Sequence, residues 1–227
     1  MLHEFGPSLY VAEGPDVSFL GIPYPTRMAI AQLRDGSLWV WSPVALSPAL
    51  QHAVDALGVV RHIVSPNKLH HLFLAEWAQR WPDASLHAPP GLARRRRDLH
   101  FDAELGDEPG PAWADDIDQT LFRGSFALEE VVFFHRPSRT AIVGDLVQRH
   151  DPTRFGAIAR TVMRLDGLLG PAGGTPREWR ATFWRRSQAR AAREKLLGWK
   201  PQRLLIAHGD CAQHAAAALL ERALAWV

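Results

Sequence analysis

Apolar residues form three short, partly alternating runs near the start of the chain, Ser8 to Ala12, Arg27 to Leu33 and Ser37 to Ser42. That period predicts β-strands. Arg34-Asp35-Gly36 joins the last two as a hairpin turn, because glycine tolerates the positive φ a tight turn demands. The period then lengthens. Ser47-Pro48 opens an amphipathic helix that runs to Leu57, with Ser47 as cap, Pro48 in the first turn and Gly58 as the stop. Val59 to Val64 is apolar enough for a buried strand, and Leu69 to Trp81 returns to helical spacing. Ala88 to Asp116 reads as loop, with Pro89-Pro90-Gly91, the run Arg94 to Arg97, and Gly106 to Pro111. Glu130 to His135 and Thr140 to Asp145 are strands around the four-residue turn Arg136 to Arg139. Phe155 to Leu169 and Pro176 to Leu197 are helical, separated by Gly170 to Gly174. A strand, Arg203 to Ala207, and a last helix, Cys211 to Trp226, complete the pattern. Antiparallel strands first, then helix and strand in alternation, predict a layered α/β sandwich.

Composition narrows the class. With 227 residues, 47% of them hydrophobic and 22% charged, the chain can bury a sizeable core, and residues 1–227 are expected to form one domain. The 26 basic residues stand against 24 acidic ones, so the net charge of +2 gives no general argument for a nucleic-acid partner. One cysteine, Cys211, excludes an intrachain disulfide and suits a reducing compartment. No apolar run reaches the roughly eighteen residues a membrane span needs, and the first residues lack the pattern of a secretory leader. The expectation is a cytoplasmic protein acting on a small molecule, with no membrane span and no preference for an oligomeric state.

Three short polar signatures carry the candidate chemistry: Asn67-Lys68-Leu69-His70-His71, Gly144-Asp145 and His208-Gly209-Asp210, each at the end of an apolar run. Imidazole and carboxylate donors at strand ends are what a divalent metal site needs, since the sheet fixes their directions and the following loop leaves access. Plainer readings compete with each. A histidine at a helix start is often a cap or packing residue, an aspartate after glycine is often a turn former, and Asp210 could cap the last helix as readily as orient His208. If His70 and His71 were helical, their side chains would diverge by about 100°, so only one could point into a common site. Asn67 more often bonds its own loop, His135 reads as an exposed structural residue beside a turn, and Cys211 as a small hydrophobe rather than a ligand.

In order and context these signatures resemble the metallo-β-lactamase fold superfamily. Ser65 to His71, Phe134 to Thr140 and Ala207 to Asp210 resemble, more closely, an uncharacterised branch of it carried as a domain of unknown function. The resemblance implies a four-layer αββα sandwich. It also implies a metal set of His70, His71, Asp145 and His208, with Asp145 as the catalytic group. The superfamily's His-x-His-x-Asp-His signature falls here on Pro66, Lys68, His70 and His71, so two of its histidines are absent and its aspartate is a histidine. Its middle Gly-His step has Gly124-Ser125 as nearest analogue. The three missing donors belong to one position of the family's two-metal site, which leaves at most one divalent ion, zinc, iron or manganese. Two readings follow: a hydrolase of an ester, thioester or phosphoester, or a metal-free, catalytically inactive relative serving as a binding or scaffold module. In the second, Lys68 could stand where the ion once did, paired to Asp145.

Arg177 to Arg190 is rich in arginine and aromatics. Trp179 and Phe183 are one helical turn apart, and the expectation is that one of them is largely buried with arginine stems around it. Stacking on nucleotides or contact with an anionic surface is the alternative.

Overall fold

The computed structural model describes residues 1–19, 22–171 and 173–227. In chain order, the first strands are β1 (His3–Gly6), β2 (Leu9–Glu13), β3 (Val17–Phe19), β4 (Ile22–Tyr24), β5 (Arg27–Gln32) and β6 (Ser37–Trp41). Helix α1 (Pro48–Leu57), β7 (Val59–Val64), α2 (Leu74–Arg80), β8 (Ser85–Ala88), α3 (Leu92–Arg95) and β9 (Ala103–Glu104) follow. The second half holds β10 (Ile117–Phe122), β11 (Glu130–His135), β12 (Thr140–Val143), α4 (Ala157–Asp166), α5 (Arg177–Thr182), α6 (Arg186–Gly198), β13 (Arg203–Ile206) and α7 (Ala216–Ala223).

Two sheets dominate, one of order β1-β2-β5-β6-β7-β8-β9 and one of order β10-β11-β12-β13. Strict alternation along the strands divides their side chains between three cores. Ala29, Ala31, Trp39 and Trp41 face Val131, Phe133, Ile142 and Leu205 across the space between the sheets. Met28, Ile30, Leu38 and Val40 turn the other way, onto Leu50 and Val54 of α1 and Leu74 and Trp77 of α2. Val132, Ala141, Val143, Leu204 and Ile206 turn outward from the second sheet onto α6 and α7. Three apolar interfaces between four layers make the αββα sandwich, and burying both faces of each sheet is what permits its parallel strands.

Those parallel pairs position the site. β6 and β7 run parallel and end in register at Trp41 and Val64; β12 and β13 do the same at Val143 and Ile206. Four loops therefore leave one rim of the sandwich from matched strand ends, the place where open α/β sheets gather functional groups.

Several elements depart from the pattern in the sequence. Residues 69–73 form turns rather than the start of a helix, which begins only at Leu74. The stretch expected as loop from Ala88 contains α3, with Arg94 and Arg95 inside it, and β9. Pro176 to Leu197 is two helices, because the chain breaks at Phe183, whose ring is buried against Trp226 while its backbone pairs with Ser125. The last helix starts at Ala216, not Cys211, since residues 209–212 are held by Arg149 and by Leu204.

Candidate metal centre

Each donor arrives from one of the four loops. Ser42 follows β6 and Ser65 to His70 follow β7, while Asp145 lies two residues past β12 and His208 two residues past β13. Ser65 folds the second loop back on itself, its hydroxyl donating to the Asn67 carbonyl at 2.9 Å and to the His70 carbonyl at 2.8 Å. The Asn67 Oδ1 accepts from the Leu69 amide at 2.8 Å. This tight knot turns the His70 imidazole inward.

The result is a carboxylate flanked by two imidazoles. His70 Nε2 is 3.1 Å from Asp145 Oδ2, and His208 Nε2 is 3.3 Å from Asp145 Oδ1. One donor atom from each of the three residues lies within 4.8 Å of the other two, close enough to share an ion. Both rings are anchored from behind. His208 Nδ1 donates to the Pro25 carbonyl at 2.7 Å, which fixes the proton on that nitrogen and leaves Nε2 facing the carboxylate. His70 Nδ1 meets the Ser42 hydroxyl at 2.6 Å. Such outward hydrogen bonds are the usual way an imidazole ligand is held in its tautomer.

Burial works against charge on Asp145, but His70 and His208 beside it outweigh burial and hold its pKa well below the usual carboxylate range. Burial likewise disfavours the His208 imidazolium, yet the hydrogen bond and charge of Asp145 raise its pKa overall. The carboxylate is thus ionised and demands a compensating cation, whether protons on the rings or a metal.

Beneath Asp145 lies a second carboxylate that the sequence reading passed over. Glu130, 2% exposed at the head of β11, accepts from the amides of Gly144 at 2.8 Å, Asp145 at 2.7 Å and Leu146 at 3.1 Å. Asn67 Nδ2 bridges the two acids, donating to Glu130 Oε2 at 2.9 Å and to Asp145 Oδ2 at 2.8 Å. Burial and the Asp145 charge push Glu130 up to about 7, with the Asn67 side chain and the Asp145 and Gly144 amides pulling the other way. A Cβ at Gly144 would stand 2.9 Å from Glu130 Oε2 and 3.2 Å from Asn67 Nδ2, so glycine is needed for this clasp to close. The available signal was a lone acid at the start of an otherwise apolar strand.

The remaining candidates stand outside the three-donor cluster, although His71 lines the cavity above it. His71 is outside the cluster: its Nδ1 is 3.1 Å from Arg96 Nη1, which also donates to its carbonyl at 2.7 Å. Burial, then Arg95 and Arg96, lower its pKa. Lys68 turns away toward Gly91 rather than to Asp145. His135 is fully buried, not exposed, with Nδ1 2.7 Å from the Ser138 hydroxyl. Asp210 caps no helix; its amide donates to the Arg149 carbonyl at 2.6 Å, and the Pro25 carbonyl orients His208 in its place. The Cys211 thiol packs against Arg27 and the Ile206 amide, and burial raises its pKa. Asn67 bonds its own loop as expected and the two acids besides.

Above the cluster a cavity of about 290 Å³ opens to solvent. Its walls are largely apolar, from Pro43, Leu69, Leu72, Phe73 and Trp179, with Arg95 and Glu178 among the polar groups.

The family model described as "Domain of unknown function (DUF4336)" matches residues 16–163. No curated protein matches the sequence. Among solved structures, the DIM-1 metallo-β-lactamase superposes with a TM-score of 0.68 at 13% identity, over 100% of this chain and 95% of that one. A metallo-β-lactamase from Pontibacter korlensis gives 0.62 at 13% identity, over 100% and 97%. The Flv1 flavodiiron core from Synechocystis sp. PCC6803 gives 0.66 at 11% identity, over 100% of this chain and 60% of that one. Likeness at such identities establishes the fold.

Proposed function

The chain belongs to the DUF4336 family, and we propose that it is a metallo-β-lactamase-like hydrolase whose single divalent ion is held by His70, Asp145 and His208. One observation carries the reading. Two rings anchored at Nδ1, by Pro25 and Ser42, present Nε2 atoms to opposite oxygens of one ionised carboxylate. Two imidazoles and a carboxylate form a donor set suited to zinc, iron or manganese. When bound, such an ion supplies Lewis-acid activation of water and of a carbonyl or phosphoryl oxygen.

The protein's own residues do the rest. Asp145, the catalytic group of this proposal, holds negative charge at the cavity floor, where its carboxylate can orient attacking water by accepting a hydrogen bond. Asn67 and Glu130 keep that carboxylate from turning. The apolar walls seat the non-reacting part of an ester, thioester or phosphoester and thin the water above the cluster. Residues of both sheets meet in one inner core, which supports reading the 227 residues as one domain. The single, unpaired Cys211 supports a cytoplasmic setting. No helix among the described residues is long and apolar enough to cross a membrane.

A metal-free binding module is the second reading, favoured by one contact: Asn67 Nδ2 already donates to Asp145 Oδ2, the oxygen that also faces His70 Nε2 at 3.1 Å. Metal analysis after purification without chelator separates the two. The expected result is about one equivalent of zinc, iron or manganese, lost in His208→Ala and Asp145→Ala and retained in His71→Ala. A chain that stays folded and metal-free when offered these ions sinks the hydrolase reading.

A further inference from the structure

Helix α4 presents apolar residues on two sides. Ala159 and Met163 pack into a small core with Phe155 and Leu168. Ile158, Val162 and Leu165, spaced four and three residues apart, form a stripe on the open side, 85%, 51% and 63% exposed. Soluble helices hide such a stripe. Nineteen residues beyond Leu165, Trp184 is 81% exposed and stands edge-on to Phe126, itself 68% exposed, with ring centroids 5.4 Å apart.

Charge singles out the same segment. Residues 154–190 hold eight arginines against two acids, in a chain whose net charge is only +2. Arg154, Arg164, Arg177, Arg185, Arg186 and Arg190 are exposed. Of the two acids, Asp166 accepts from the Arg177 amide at 2.6 Å, and Glu178 lies near enough to Asp166 for the two to influence each other's charge. The segment also borders the cavity, which Glu178 and Trp179 of α5 help to line.

We propose that α4, α5 and the Phe126–Trp184 pair form a docking surface for an anionic lipid membrane. Exposed aliphatic side chains and aromatic rings suit the boundary between headgroups and acyl chains, and the exposed arginines of the same segment suit anionic headgroups. A second copy of the chain is a poor occupant, because a two-fold contact would set arginines against arginines. Nucleic acid would use the arginines and aromatics but find nothing to do with Ile158, Val162 and Leu165. The proposal is independent of whether a metal is bound.

Co-sedimentation of the full chain with vesicles tests it. The chain should bind vesicles of three parts phosphatidylcholine to one part phosphatidylglycerol. Binding should weaken about tenfold or more on pure phosphatidylcholine, or when salt rises from about 0.05 M to about 0.5 M. Ile158→Ser/Leu165→Ser should weaken it at least about tenfold without altering circular dichroism, since both side chains are exposed. Val59→Ser, at a 60% exposed residue in the first position of β7, should change nothing. Should the α4 variant melt early, Phe126→Ser/Trp184→Ser provides the same readout. Vesicle binding indifferent to both variants overturns the proposal. So does tighter binding to a single-stranded oligonucleotide that survives the α4 substitutions, or self-association that those substitutions abolish in the absence of vesicle binding.

Discussion

At the scale of single residues, Asp145 owes its position to a neighbour that never reaches the cavity. Glu130 takes the amides of Gly144, Asp145 and Leu146 together with the Asn67 side chain, so four donors are satisfied by one buried carboxylate. Removing an acceptor from buried donors costs their desolvation in full, whereas a neutral acceptor of the same shape recovers part of it. Glu130→Leu is therefore expected to lower stability by about 3 kcal/mol or more and Glu130→Gln by about half as much, read from urea unfolding. Equal losses would mean that packing, not the donors, makes Glu130 matter. The sequence carried Asp145 and His208 openly, as polar residues closing apolar runs. It could not choose between His70 and His71, because adjacent histidines have the same chemistry and the choice is made by a turn. Ser65 and Asn67 wind residues 65–70 into a knot that aims His70 inward, and Arg96, twenty-five residues away, holds His71 at the margin.

Among the elements, those whose pattern is fixed by burial were legible and those fixed by a distant contact were not. The apolar runs of β5, β6, β11, β12 and β13 are nearly continuous because both faces of both sheets are covered, so successive side chains enter different cores. Helix ends were read too long wherever the chain is diverted by partners remote in sequence, as at Phe183 and at residues 209–212. Gly209 is the sharpest such point. Its φ is +112°, and a Cβ there would meet the Arg149 carbonyl oxygen at 2.0 Å, in the stretch that carries His208 out of β13. Both the backbone conformation and the contact oppose a side chain. Gly209→Ala should destabilise the chain by about 2–4 kcal/mol and, by displacing His208, weaken metal uptake even where the protein is still folded. Thermal melting and metal titration of the same sample check the two halves; normal uptake in a destabilised variant would show that His208 is held by Pro25 alone.

For the molecule as a whole, the sandwich buries histidines outside the three-donor cluster, and this sets its response to acid. Burial, foremost, lowers His87, His135 and His150 to about 4. Their unfolded counterparts titrate near 6.5, so between these values the unfolded chain takes up protons that the native chain refuses. Stability then falls as pH drops through that window, by about 2 kcal/mol for each histidine near pH 5. Groups with raised values act oppositely. His208 is raised and so favours the native state at lower pH, and Glu130, raised to about 7, loses an unfavourable buried charge over part of the same range. His62 and His71, lowered by burial, add to the loss, and Glu178, raised by burial, opposes it, leaving a net loss of a few kcal/mol between about pH 7 and pH 5, a large share of what holds a domain of this size together. Urea unfolding at the two pH values should show that loss, and His135→Asn, at a fully buried residue of the β11 hairpin, should reduce it by about 2 kcal/mol. Stability that is flat or rises toward pH 5 would mean that protonation of Glu130 and His208 governs the acid response, placing its control at the candidate metal centre instead of the surrounding sandwich.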